Sequence, residues 1–470
     1  MANNTIIHGW QDDPDFRGTF SIVKTCLGTV VLLCWSSVCP NVPSQKKGFC
    51  HKLSGKVQLF FLAILGPNFI FASALGQFNK AWRAKRALHR KGYTEWTLRH
   101  CFFANMGGIH LEFRDRKQDG LSTFPADTEQ MLYLVKNRYM SLPIITKADI
   151  DDRNKADSFT RAIAIVQTIW FTVNIFGRIS EGLFITTIEL NTLSFVFLMI
   201  CCSICWWHKP MDIQTPLTIL VDVDLSTVLS ANGTSTQSFG HTPLSFINRR
   251  EWLVSQSWAS YVRMLRRMLF LPRGATKDTD ADHFPSIDFY EPELRWELTV
   301  GCWPVAIYGA ILMAAWNFSF PTTTERLLWR ISASINLAIL ALGSPLILCW
   351  EHRFAIAGWR DPLLGYLGFR NIVLAHNSIH SNGSRRALGS SLLNKTCRSI
   401  SHSFDWMRNL SADDDPSLSV PLRVWLPSTA ISALYFLSRL FILIEDAAGL
   451  RAVPQSTFQT VEWTRYWSIL

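Results

Sequence analysis

About seven windows of 20 or so predominantly apolar residues punctuate this chain, at 18–39, 57–79, 160–179, 183–207, 297–320, 327–350 and 424–445. A helix rises about 1.5 Å per residue and the hydrocarbon core of a bilayer is about 30 Å thick, so each window has the length of one crossing. Backbone polar groups must be satisfied internally in lipid, which makes each window a helix. The fold class this implies is all-α: a polytopic membrane helix bundle of about seven spans, forming a single integral membrane domain over 1–470, with long cytoplasmic loops at 80–159, 208–296 and 351–423. A chain that is 48% hydrophobic and 13% aromatic has too little polar surface to cover one soluble domain of 470 residues.

The acids Asp12, Asp13 and Asp15 precede the first window, where a cleavable secretory signal carries a basic region, so 18–39 reads as a retained span. The formal net charge of +10 excludes little by itself. Its basic residues flank the windows, where they report topology and contact with anionic lipid rather than nucleic acid. Fifteen Lys and Arg fall in 80–159, against Lys46, Lys47, Lys52 and Lys56 in 40–56, and the other two long connections are basic as well. With seven crossings, the positive-inside rule then places the N-terminus in the cytoplasm and the C-terminus across the membrane.

Eleven cysteines show no metal-ligand spacing, which leaves neither zinc nor another metal or cofactor expected. Cys39 and Cys50 bracket a short connection and offer a disulfide. Sequons begin at Asn3, Asn232, Asn317, Asn382, Asn394 and Asn409, so the chain is a candidate glycoprotein, with Asn317 the accessible site in this topology. No internal repeat divides the spans into halves. Residues 255–274 suit an interfacial helix, and 375–415 a mobile loop.

Charged and amide side chains within the windows carry the functional argument, because such groups are costly in hydrocarbon and mark sites or pairings. In ITTIELNTLSF, residues 185–195, Thr186, Glu189 and Thr192 share one helical face. In the preceding window Gln167, Phe171, Asn174 and Arg178 share another. The short link makes these spans an antiparallel hairpin whose polar faces meet, with Arg178 reaching Glu181 or Glu189. Ser432, Tyr435 and Arg439 form a third polar face, closed by Glu445 and Asp446 at the water boundary. Trp35, Trp206, Trp207, Trp296, Trp303, Trp329, Trp350 and Trp425 stand near span ends, as an interfacial aromatic belt does. DIDDRNKAD at 149–157 puts Lys155 where a magnesium-binding DDxxD pattern has its last acid. VDVDLS at 221–226 lacks the second acid of a protonating DxDD. No GxSxG, HExxH, Walker A or GxGxxG element stands in a suitable context.

FRGTFSIV at 16–23, FFANMGG at 102–108, ADIDDRNKAD at 148–157, ITTIELNTLSF and ICCSICWWHKPMD at 200–212 together resemble a large fungal family of multi-span membrane proteins, one that includes membrane-bound terpene cyclases of the ascofuranone type. The resemblance implies metal-free, acid-catalysed opening of a prenyl epoxide in meroterpenoid secondary metabolism. It also implies residence in the endoplasmic reticulum and a lipophilic prenylated substrate. Such chemistry needs a proton donor in apolar surroundings, a proton exchanger and an aromatic wall. Glu189 and His208 fill the catalytic roles; Asn174, Arg178, Thr192, Trp206 and Trp207 would bind substrate. The alternative is a channel, transporter or receptor with the same polar residues along its path, and a third reading is a scaffold in which they only tie helices together. Oligomeric state stays open.

Overall fold

The computed structural model describes residues 5–12, 17–43, 49–114, 123–153, 158–231, 242–247, 283–284, 286, 295–339 and 422–464. The expected interfacial helix at 255–274 and the loop 375–415 lie outside them. In chain order the elements are β1 (Ile6–His8), α1 (Thr19–Ser37), α2 (Phe49–Leu65), α3 (Pro67–Arg90), α4 (Leu98–Asn105), β2 (Ile109–Phe113), β3 (Thr123–Pro125), α5 (Thr128–Lys136) and α6 (Lys147–Asp151). There follow α7 (Ser158–Ser180), α8 (Thr187–Cys205), β4 (Leu217–Val221), α9 (Leu225–Ser230), α10 (Arg295–Met313), α11 (helical over 323–339), α12 (Leu422–Ala448) and β5 (Ala452–Pro454).

The chain is mostly helical, and four helices among the described residues are long and apolar enough to cross a membrane: α1, α7, α8 and residues 300–317, which are α10 from Val300 on with the 3-10 turn that continues it. α8 is the central one. Its most apolar window is 61% buried, against 22–33% for the other three, because α1, α3, α10 and α12 all pack on it. The peripheral helices leave apolar faces open; α7 exposes Ile165, Val166, Ile169, Trp170 and Phe176. A continuous apolar face of that kind is a liability in water and suits hydrocarbon.

Several expectations need correction. The window 57–79 is not one continuous helix. The chain breaks at Gly66, and α2 and α3 meet at a bend of 119°. Pro67 begins α3 at the position where its missing N–H costs nothing, while a Cβ on Gly66 would stand 2.6 Å from the Phe69 ring. Both arms of the hairpin return to the same face of the bundle. Lys56 on α2 bonds Asp212 just past α8, at 3.0 Å. Gln77 on α3 accepts from the Trp206 indole N–H at 3.0 Å, and Arg83 pairs with Glu297 at the start of α10. The window 424–445 does form a helix, α12, but one interrupted by Arg439 and ending in acids, and it is not among the four. For 327–350, residues beyond 339 lie outside the described ones.

The fold is not all-α either. β3, β2 and β4 form a three-stranded sheet in that order, β2 antiparallel to β3 and parallel to β4, so the connections 80–159 and 208–296 are joined rather than being free loops. β1 pairs antiparallel with β5, setting Ile6 opposite Pro454 and His8 opposite Ala452. That pairing places the two ends of the described chain on one face, contrary to a C-terminus across the membrane from the N-terminus. Cys39 is a free thiol, pointing at the Ser37 carbonyl, and forms no bridge.

Candidate functional site

Where α1 begins, α8 begins and α12 ends, a cluster of charged side chains is buried. It starts with the cap of α8. Thr186 and Glu189 make a capping box: the Glu189 Oε2 accepts from the Thr186 N–H at 3.0 Å and from its hydroxyl at 2.8 Å. The other oxygen, Oε1, is bonded by the guanidinium of Arg17, the residue two before α1. Glu189 is thus in the first turn of its helix, with both oxygens accepting. It has none of the apolar isolation that a proton donor at this position requires.

Arg178 does not reach an acid. Only 1% exposed, it donates from Nη1 to the Gln459 carbonyl at 2.7 Å and from Nη2 to the carbonyls of Phe184 (2.7 Å), Thr457 (3.0 Å) and Ser456 (3.1 Å). The guanidinium fork closes the α7–α8 link and straps the segment after β5 across the end of the bundle.

Two residues further along α8 from Glu189, Asn191 bridges opposite charges. Its Nδ2 donates to Asp446 Oδ2 at 2.5 Å, and its Oδ1 accepts from Arg439 Nη1 at 2.9 Å. Arg439 lies over the Tyr308 ring of α10, 5.7 Å from its centre. Asp446 Oδ1, Glu445 Oε1, Arg439 Nε and the Tyr308 hydroxyl are buried with no hydrogen-bond partner, a concentration of unspent polar capacity that structural pairing alone does not require. Glu445 and Asp446 were expected at the water boundary. The turn after α12 packs against them, Gly449 lying beside Glu445 Oε1, and they are 2% and 4% exposed.

Polar residues continue inward on one face of α12: Asp446, Glu445, Arg439, Ser438 and Tyr435. Ser438 accepts from Asn336 of α11 at 2.9 Å, and the Tyr435 hydroxyl accepts from Asn68 at the tip of the α2–α3 hairpin at 3.1 Å. From Asp446 to Tyr435 is 11 residues, about 16 Å, or half of a hydrocarbon core. On the far side of the hairpin tip, Ser73 and Gln77 hydrogen-bond at 3.3 Å, and Gln77 accepts from Lys209 at 2.8 Å. Lys209 lies beyond the end of α8 with Cys39 O and Asn41 Oδ1 as its other acceptors, at 2.8 and 3.0 Å, and burial pushes its ammonium down to about 8.

The sequence-derived site residues therefore divide. Glu189, Arg178 and Thr192 are buried at or near the cluster, Thr192 spending its hydroxyl on the Ile188 carbonyl at 2.7 Å. Asn174 is half-buried one turn from Arg178. Trp206, Trp207 and His208 stand at the other end of α8, about 26 Å from Glu189, so they cannot share its site. Trp206 is core, while Trp207 and His208 are exposed. Arg17 and Tyr308 were not singled out, and Asn191 and Asp446 were not expected to meet. The signal for Arg17 was available, in an arginine set directly before one apolar window with an unpaired acid in another.

The family model that matches covers residues 1–236, half of the chain. The chain belongs to DUF8562, a family of unknown function. No curated protein and no solved structure matches it. The DUF8562 region contains Arg17, Arg178, Glu189 and Asn191, whereas Arg439, Glu445 and Asp446 come from beyond it. The cluster is assembled across that boundary.

Proposed function

We propose that this DUF8562 protein is a multi-pass membrane transport protein that moves protons, or a small polar solute with them, along the polar face of α12. α1, α7, α8, α10, α11 and α12 would be its crossings, with α2–α3 entering and leaving by one face. The observation that carries this reading is the Asp446–Asn191–Arg439 bridge, continued by Tyr435 to the tip of the hairpin at mid-depth. Irregular backbone inside a bilayer is tolerated where protein buries it or where it lines a polar path, and buried ionisable chains are the means by which membrane proteins relay protons. The series breaks between Asn68 and Ser73, about 7.5 Å apart along α3, which is where a gate belongs in this reading.

The test is proton flux into liposomes containing the purified protein, read by an entrapped pH dye. Wild type is expected to dissipate an imposed gradient, Asp446→Asn to lower the rate at least tenfold, and Glu189→Gln to slow it less, since Glu189 serves as a cap. Wild-type liposomes no faster than empty ones would end this reading.

A second reading keeps the activity implied by the sequence resemblance, metal-free cyclisation of a prenyl epoxide in the endoplasmic reticulum, with the acid moved. Asp446 is buried, is held on one side by Asn191 and has its second oxygen unencumbered, as an acid that must approach a substrate needs. Microsomes supplied with a prenyl-phenol epoxide would yield cyclised product from wild type and none from Asp446→Asn.

A further inference from the structure

The geometry points to an anionic-phospholipid site on the outer half of α3, separate from the polar path. The stretch KAWRAKRALHRKG is the densest run of positive charge in the chain, and the structure sorts its members. Lys80 bonds Asp127 at 2.9 Å and Arg83 bonds Glu297 at 3.0 Å, so these two tie α3 to α5 and α10. Lys85, Arg86 and Arg90 have no acidic partner among the described residues. Together with Trp82 and His89 they line an open cleft of about 420 Å³. Arg86 lies over the Trp82 ring at 4.5 Å, which holds its guanidinium at the mouth, and His89 Nε2 is spent on the Trp96 carbonyl at 2.8 Å.

Depth identifies the ligand. Glu297 lies three residues before the apolar part of α10 begins at Val300, so its partner Arg83 marks the rim of the hydrocarbon. Lys85 and Arg86 are two and three residues farther out along α3, about 3 to 5 Å, which is headgroup level. A tryptophan at that level with unpaired basic groups beside it is the arrangement that receives a lipid phosphate. The face is also the basic one, and the positive-inside rule turns it toward the leaflet that carries anionic lipid. Phosphate oxygens would accept from the Arg86 and Lys85 head groups, with the acyl chains running down beside Trp82.

The full-length protein in nanodiscs of mixed phosphatidylcholine and phosphatidylserine, released and weighed by native mass spectrometry, tests the site. Wild type is expected to retain phosphatidylserine at least tenfold over its share of the bilayer. Lys85→Gln with Arg86→Gln is expected to lower retention about thirtyfold, as loss of two surface charges implies. Lys136→Gln at the end of α5 with Arg138→Gln just past it, the same change in charge, leaves retention as it was, and Lys85→Arg with Arg86→Lys preserves it. Equal retention of both lipids, an equal loss from the control pair, or displacement of the lipid by millimolar inorganic phosphate would overturn the proposal.

Discussion

Single residues in this protein are explained by what their polar atoms have to satisfy. Lys209 is the clearest case: a buried ammonium whose acceptors are Cys39 O, Asn41 Oδ1 and Gln77 Oε1, with no carboxylate among them. Burial lowers its pKa from the ordinary 10.5 to about 8. Between those two values the unfolded chain binds a proton that the folded chain has released, so folding stability rises with pH across that window. Thermal unfolding in detergent from pH 7.5 to 10.5 should show a rising limb in wild type that is absent in Lys209→Gln; a wild-type curve that is flat or falling relative to the variant would contradict the assignment. Sequence alone showed WWHKPMD as a helix end with aromatic anchors and a stopping proline, which it is. It could not show that Lys209 turns inward, because the acceptors come from α3 and from the turn after α1, far away in the chain. The same holds for Glu189. Its spacing from Thr186 was read as a shared face in mid-span, whereas the pair is a cap, and the difference depends only on where α8 starts.

At the scale of elements, hydrophobic windows located the helices well and their continuity poorly. Windows 18–39, 160–179 and 183–207 became α1, α7 and α8 with boundaries shifted by a few residues. Window 57–79 was read as continuous because an average over 20 residues is insensitive to one Gly-Pro step, which bends the chain by 119°. The strands were missed for a different reason: each is three to five residues long, and β1, β4 and β5 exist only through partners more than 100 residues away, as Gly108 to Leu217 illustrates. The hairpin is directly testable. A methyl group on Gly66 meets Phe69 Cδ2 at 2.6 Å, and Phe69 is held edge-on against Tyr435 with ring centres 5.6 Å apart, so it has little room to yield. Gly66→Ala is expected to cost about 1 to 3 kcal/mol, the usual range for overpacking. Gly66→Ala with Phe69→Ala should cost less than the two single changes added together. Strict additivity in that double-mutant cycle, measured by thermal unfolding in detergent, would mean that the turn is looser than the structure has it.

At the scale of the whole molecule, the decisive contact is the smallest sheet. Pairing of residues 6–8 with 452–454 sets both ends of the described chain on one side, which fits an even number of crossings, and the proposed path of α2–α3 through one face would supply the parity. The seven-window count gave an odd number, and with it an N-terminus in the cytoplasm. In the proposed set of crossings, with α2–α3 entering and leaving by one face, the connections 80–159 and 208–296 lie on one side, as the β2–β4 pairing requires. On that proposed topology the positive-inside rule would make the side of these basic connections cytoplasmic and put both termini on the other. Asn3 would then join Asn317 as an acceptor on the side where glycosylation occurs, whereas the sequons at Asn232, Asn382, Asn394 and Asn409 would not. Expressed with a pH-sensitive fluorescent protein on either end, the chain should report a non-cytoplasmic environment from both, and Asn3→Gln together with Asn317→Gln should abolish a glycosidase-sensitive shift in mobility that Asn317→Gln alone leaves in part. Opposite environments at the two ends would restore the odd count and with it a crossing at 57–79. Two cytoplasmic ends would keep the bundle as described and reverse its orientation, against the charge of every long connection.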